Sequence, residues 1–284
     1  MAMSSRLIAS VVICSALAVP NAPIAAQARG AYLGDLSWPE AERRLKEAPM
    51  VIIPFGAGAK EHGPHLPLSA DQIAMEYFAA VAVDSLPVVV APPILYGWFP
   101  AFRELPGTTI DDPDVFYRYV LEVARSLVRH GAKRVVFLNL GITRSTGIPL
   151  ALVARTIYAE ERVPTLLISS DDLATPEVSA LTTQRVGGHA DDIETSMILA
   201  LRPALVHMDR AVRDYRADTG ATYPGYRPGH YSRQPGDPDF SETGLTGDPT
   251  LATAEKGRKI LAIKTRQWMK ALRGFASTPV SAGR

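Results

Sequence analysis

The chain has 284 residues, 47% of them hydrophobic, enough to bury a sizeable core in one large domain or two small ones. With 30 basic residues against 29 acidic ones, it offers no charge excess for nucleic acid or an anionic membrane, which leaves a small molecule as the expected partner. The one cysteine, Cys14, falls in the first 28 residues, so the rest of the chain has no thiol, disulfide or cysteine–metal chemistry.

Residues 1–28 carry the pattern of a secretory signal peptide. Arg6 supplies the positive start, Leu7 to Val19 the apolar run, and Ala26-Gln27-Ala28 an A-x-A cleavage site. The run is short for a bilayer span, and Ile13 before Cys14 is not the small residue of a lipidation site. The expectation is a signal over 1–28 and a single domain over 29–284. The mature chain is expected in the periplasm or secreted, free of the membrane after cleavage. It would carry 29 basic and 29 acidic residues.

From there, short β-branched runs alternate with longer amphipathic ones. MVIIPF (50–55) reads as the first strand and 70–84 as a helix; PVVVAPPI (87–94) is the second strand. DPDVFYRYVLEVARSLVRHGAK (112–133) has helical spacing, opens on Asp/Pro and closes at Gly131. RVVFLNL (134–140), a helix over 146–160, PTLLISS (164–170) and a helix over 191–202 follow. The strand runs are continuously apolar rather than alternating, as in buried parallel strands. Residues 212–250, rich in Gly, Pro and Tyr, read as a functional or interface loop, and a last helix covers 251–273. The order predicts a three-layer α/β/α domain with a mostly parallel sheet.

In such a sheet the ligand site lies at the carboxyl ends of the strands. Two loops meet that edge: KEHGPHLPLSAD (60–71) after the first strand, and NLGITRS (139–145) after the third. In the first, His62 and Asp71 are nine residues apart, with Gly63, Pro64 and Pro67 stiffening the chain between them. Imidazole with carboxylate suits Zn or Mn; the alternative is a turn whose histidines bond to backbone. A second constellation is GGHADDIETSMILAL (187–201). Asp191, Asp192 and Glu194 fall in the first turn of its helix, where carboxylates complement the dipole. His189, between two glycines and that acidic turn, reads as a site residue. His130 and His207 read as structural or solvated. His230, among Tyr223, Tyr226 and Tyr231, is a candidate pocket residue, and Trp98 a candidate pocket wall.

These stretches together resemble the creatininase (creatinine amidohydrolase) family. The landmarks are Pro54, Gly56, HGPHLPL and Asp71, then Tyr96-Gly97, Pro106-Gly107-Thr108, HADDIETSMILAL and GDPTLATAEKG (247–257). The resemblance implies the α/β fold, homo-oligomers that are often hexamers, and divalent metals used to hydrolyse cyclic amides or formamides.

The departures matter as much. The family opens its first loop on Glu-x-His, where this chain has Lys60 two before His62 and Glu61 displaced by one. It follows the third strand with Asn-Gly-His, where this chain has Asn139-Leu140-Gly141. Phe102 stands where a histidine is common. By resemblance, Lys60 and Gly141 replace two ligands of one metal. The implied site therefore holds one Zn or Mn per chain rather than two, at His62 and Asp71 with Glu61. His189, Lys60 and Glu194 are the expected catalytic residues, and His65, Trp98, Thr143 and His230 the substrate-binding ones. The expected activity is hydrolysis of a C–N bond in a small cyclic amide, formamide or related compound by metal-activated water. The alternative is an inactive binding or scaffold protein that kept the fold.

Overall fold

A computed structural model of the chain describes residues 29–141, 143–215 and 241–280, with the side chains of Thr143 and Arg144 outside that description. Residues 1–28 and the segment 216–240, His230 included, also lie outside the described residues.

Five strands form one sheet: β1 (Ala31–Tyr32), β2 (Val51–Phe55), β3 (Val89–Val90), β4 (Val135–Asn139) and β5 (Thr165–Ser169). Their order is β1-β3-β2-β4-β5, and every pairing is parallel. The helices are α1 (Trp38–Glu47), α2 (Ala70–Ser85), α3 (Pro113–Arg129), α4 (Thr143–Glu161), α5 (Pro176–Ser179), α6 (Asp192–Leu201) and α7 (Ala254–Ala276).

Although the strands are apolar throughout, their residues still divide by parity between two cores. Val51, Ile53 and Phe55 pack with Leu45 of α1, Phe116 and Val120 of α3, and Leu150 and Val153 of α4. Met50, Ile52 and Leu138 pack on the other face with Phe78 of α2, Met197 of α6 and Ile260 and Trp268 of α7. Helices on both faces of a parallel sheet make the expected three layers. A third, smaller cluster joins Leu66 and Ile73 to Ala190, Ile198 and Leu245. It clamps the loop before α2 to the start of α6.

Two expectations shift. The second strand is only Val89–Val90, not 87–94, because Pro87, Pro92 and Pro93 carry no N–H for the ladder; Ile94 rejoins the sheet by a single bridge to Phe55. The last helix starts at Ala254, capped by the Thr253 hydroxyl, which accepts from the Lys256 N–H. Helix α1 was not among the expected elements, yet SWPE (37–40) has a sequence signature. Glu40, three residues into the turn, accepts from the Ser37 N–H at 3.0 Å, half of a capping box.

Candidate active site

Strand β2 ends at Phe55, and the chain then loops through residues 56–69 before α2 begins. Asp71, in the first turn of α2, is buried, and so are Lys60, Glu61 and His62 from the loop. The Lys60 ammonium lies 2.8 Å from Asp71 Oδ2. His62 Nε2 donates to Asp71 Oδ1 at 2.9 Å, and its Nδ1 lies 2.8 Å from the Lys60 carbonyl. Burial alone would raise the Asp71 carboxyl. The adjacent Lys60 ammonium, then His62, outweigh it and hold the group well below the usual carboxylate range. Phe99 and Phe102 flank the ammonium, with ring centres 5.7 and 5.3 Å from Nζ.

Gly141 approaches the same carboxylate from the end of β4. A Cβ there would sit 3.6 Å from Asp71 Oδ2 and 3.4 Å from the Phe99 ring, ordinary contacts. Two of the positions at which this chain departs from the family pattern, Lys60 and Gly141, therefore converge on one oxygen of Asp71. Lys60 supplies a fixed positive charge to it, and Gly141 leaves it no ligand.

The second half of the site comes from α6. Asp191 caps the helix, accepting from the N–H groups of Ile193 and Glu194. Burial, then the neighbouring Glu194, push its carboxyl up to about 6. Asp192 is consumed by Lys256, 2.7 Å away, and by Ser196 and Thr182. Ala190 has a left-handed backbone (φ 49°), uncommon for a residue with a Cβ. That turn aims its N–H at Glu194 Oε2, 2.7 Å away. His189 Nε2 donates to Glu61 Oε2 at 3.0 Å, which leaves Nδ1 facing Glu194 Oε2 at 3.9 Å. Burial would raise the Glu61 carboxyl, but His189 and the Gly63 N–H more than offset it, and the group is lowered.

The His62 and His189 rings stand 5.0 Å apart. Together with Glu194 they offer three donor atoms within 4.8 Å of one another. Two imidazoles and a carboxylate are a donor set that binds Zn with a fourth position open. The second sphere is present as well: the Lys60 carbonyl orients His62, and Glu61 orients His189. The residues present fit one divalent ion on condition that His62 gives up one of its two hydrogen bonds for it. Asp71 and Glu61, expected as ligands, have both their partners in the protein.

The other expected residues are spread out. His65 is fully buried and bonded to Thr195 Oγ1 at 2.8 Å, while its carbonyl accepts from the His207 N–H. Burial, above all, pushes its ring down to about 4. It pins the loop to α6 and does not face an open pocket. Trp98 packs against the core under α3 and α4. Thr143 begins α4, its side chain outside the description. Phe102, noted in the sequence as standing where a histidine is common, and two residues the sequence did not single out, Phe99 and Lys264, complete the site. Phe99 and Phe102 wall it, the Phe102 ring 4.3 Å from that of His189. Lys264 of α7 lines a small cavity shared with His62, Asp71 and Glu194. Its signal was available: a lysine on the buried stripe of a helix.

These features belong together in one known setting. The profile of the creatininase family, described as creatinine amidohydrolase, matches residues 34–272, and the chain belongs to that family. It is 30% identical over 248 residues to the mycofactocin precursor peptide peptidase of Mycobacterium tuberculosis, covering 81% of this chain and 87% of that one. It is 28% identical over 252 residues to the creatinine amidohydrolase of Pseudomonas putida, covering 83% and 93%. With the 3-dehydro-scyllo-inosose hydrolase of Thermotoga maritima it shares 27% identity over 249 residues, covering 81% and 78%. Among solved structures, creatininase with Mn superposes with a TM-score of 0.73 at 26% identity, over 87% of this chain and 99% of that one.

Proposed function

We propose that this protein is a hydrolase of a C–N bond in a small cyclic amide, formamide or related compound, working with one divalent ion, Zn or Mn. The observation that carries this reading is the convergence of His62, His189 and Glu194 beside an Asp71 already neutralised by Lys60. When bound, such an ion supplies a nucleophilic water at neutral pH and polarises the substrate carbonyl. His189 is read here as a ligand rather than a proton shuttle, because Glu61 holds its Nε2 and Nδ1 turns to Glu194.

The chain's own groups divide the remaining work. Lys60 keeps Asp71 ionised, and Asp71 with the Lys60 carbonyl fixes the His62 ring. Phe99 and Phe102 exclude water from that ion pair. Glu194 Oε2 is held by the Ala190 N–H, while the side chain is 30% exposed. In this reading its other oxygen takes a proton from the attacking water and delivers it to the leaving nitrogen.

Metal content of protein purified without chelators or a metal-binding tag tests the reading. About one ion per chain is expected, lost in His62→Ala and His189→Ala together with hydrolysis of cyclic amides. One observation favours a second reading, an inactive binding protein: both His62 nitrogens and Asp71 are already paired within the protein. A correctly folded chain that takes up no ion from excess Zn or Mn would establish that alternative. We further propose export to the periplasm or medium, checked by N-terminal sequencing, which should start near Arg29. Homo-oligomerisation is checked by light scattering. Among the described residues no helix is long and apolar enough to cross a membrane.

A further inference from the structure

Helix α7 presents one stripe to the core: Gly257, Ile260, Leu261, Lys264, Trp268 and Leu272 are all buried. Helical periodicity reserves position 264 for an apolar side chain, and a lysine is almost never fully buried unless paired. Lys264 is 5% exposed. Among the described residues its one hydrogen bond is a long one, 3.4 Å to the Ser170 carbonyl. An ammonium has three donors, so two find no partner there. Lys60 is matched to Asp71, His189 to Glu61 and Lys256 to Asp192, whereas Lys264 makes no ion pair with a described residue.

The ammonium borders the cavity that His62, Asp71 and Glu194 border from the opposite side. Between them the walls are apolar, from Phe78, Leu173 and Met197. The room for a water-sized group is about 20 Å³, enough for roughly one oxygen-sized species. Glu194, Asp191 and Asp171 lie within the ammonium's electrostatic reach, but among the described residues none hydrogen-bonds to it, so its free N–H donors, between the apolar side walls of the recess, are a subsite for an anionic oxygen.

We propose that Lys264 is a substrate-binding residue that receives a carboxylate oxygen, so that the compound taken by this site is a small molecule bearing an acidic group. The proposal rests on the cavity being the substrate site of the hydrolase reading, and narrows that reading from amides in general to acidic ones.

Sodium formate, the smallest carboxylate, is the probe. Its binding is measured by titration calorimetry at constant ionic strength, for the ion-loaded wild type and Lys264→Met and for the ion-free wild type, Lys264→Met and His62→Ala. Methionine suits the apolar walls, and its melting temperature should match or exceed the wild type's, since a buried charge is replaced by a side chain of similar length. Formate should bind the wild type, bind Lys264→Met at least tenfold more weakly, and still bind His62→Ala. Equal affinity in Lys264→Met, loss confined to His62→Ala, or no binding to the wild type would each overturn the proposal. A marked drop in melting temperature in Lys264→Met, with formate affinity unchanged, would make Lys264 a counter-charge of the fold instead. Because formate binding needs no turnover, its loss in Lys264→Met would stand even if no ion-dependent hydrolysis were found.

Discussion

Lys60 is the residue on which this site turns. A buried ammonium 2.8 Å from a buried carboxylate is costly to break from one side, because the partner is left charged and unpaired. Lys60→Met should therefore destabilise the fold by about 3–5 kcal/mol, read as a fall in the urea midpoint. Reversing the departures at Lys60 and Gly141 tests what the ammonium replaces. Lys60→Glu with Gly141→His puts a carboxylate and an imidazole beside Asp71, where a Cβ at 141 already has room. The double variant should take up a second ion by elemental analysis. Failure to gain one would refute the view that the ammonium stands in for a cation.

Three titrating groups set the acid response. His65 is held down to about 4 by burial, so the unfolded chain takes its proton first. Its stabilising effect is complete above about pH 6.5 and is lost as the pH falls toward 4. Asp71 behaves later and in the same direction. Its folded carboxyl lies far below the ordinary value near 4, so its contribution persists through mild acid and declines only below about pH 4. Asp191, pushed up to about 6, takes its proton first in the folded chain and opposes the His65 loss between about pH 6 and 4, so urea midpoints should stay nearly level down to about pH 4 and fall below it. His65→Gln removes the opposing loss, so its midpoint should rise from about pH 6 to 4 and then fall as the wild type's does.

At the scale of elements, the junction of α6 and α7 governs the site. A Cβ on Gly257 would overlap the Ser196 carbonyl, a backbone atom that cannot swing aside. Gly257→Ala should push α7 from α6 at a cost of about 1–3 kcal/mol. Because Ser196 lies two residues beyond Glu194, the same variant should weaken metal binding, which isothermal titration would register. The sequence foretold both helices from their apolar spacing, and Asp191 and Asp192 as helix-start residues. It did not foretell this contact, since the near approach of two backbones leaves only a glycine as its trace. The short β3 was legible in principle, because its three prolines limit the ladder wherever the neighbouring strand lies.

For the molecule as a whole, an ion that binds only the folded state should stabilise it by mass action, about 2.7 kcal/mol at a hundredfold excess over Kd. Added Zn or Mn should raise the melting temperature of the wild type and leave His62→Ala unchanged. The layered α/β fold, the strand-end location of the site and the family were all legible in the chain. Continuous apolar strands, helix caps and the HGPHLPL and HADDIETS landmarks are local features, and local chemistry records them. The pairing of side chains was not. His62 and Asp71 do meet, yet Lys60 occupies the other side of Asp71, Glu61 turns to His189, and the donors that converge are His62, His189 and Glu194. Lys264 joins that cavity from the last helix. Such partnerships span up to about two hundred residues of chain, and only the packing of α2, α6 and α7 on one face of the sheet decides which charge answers which.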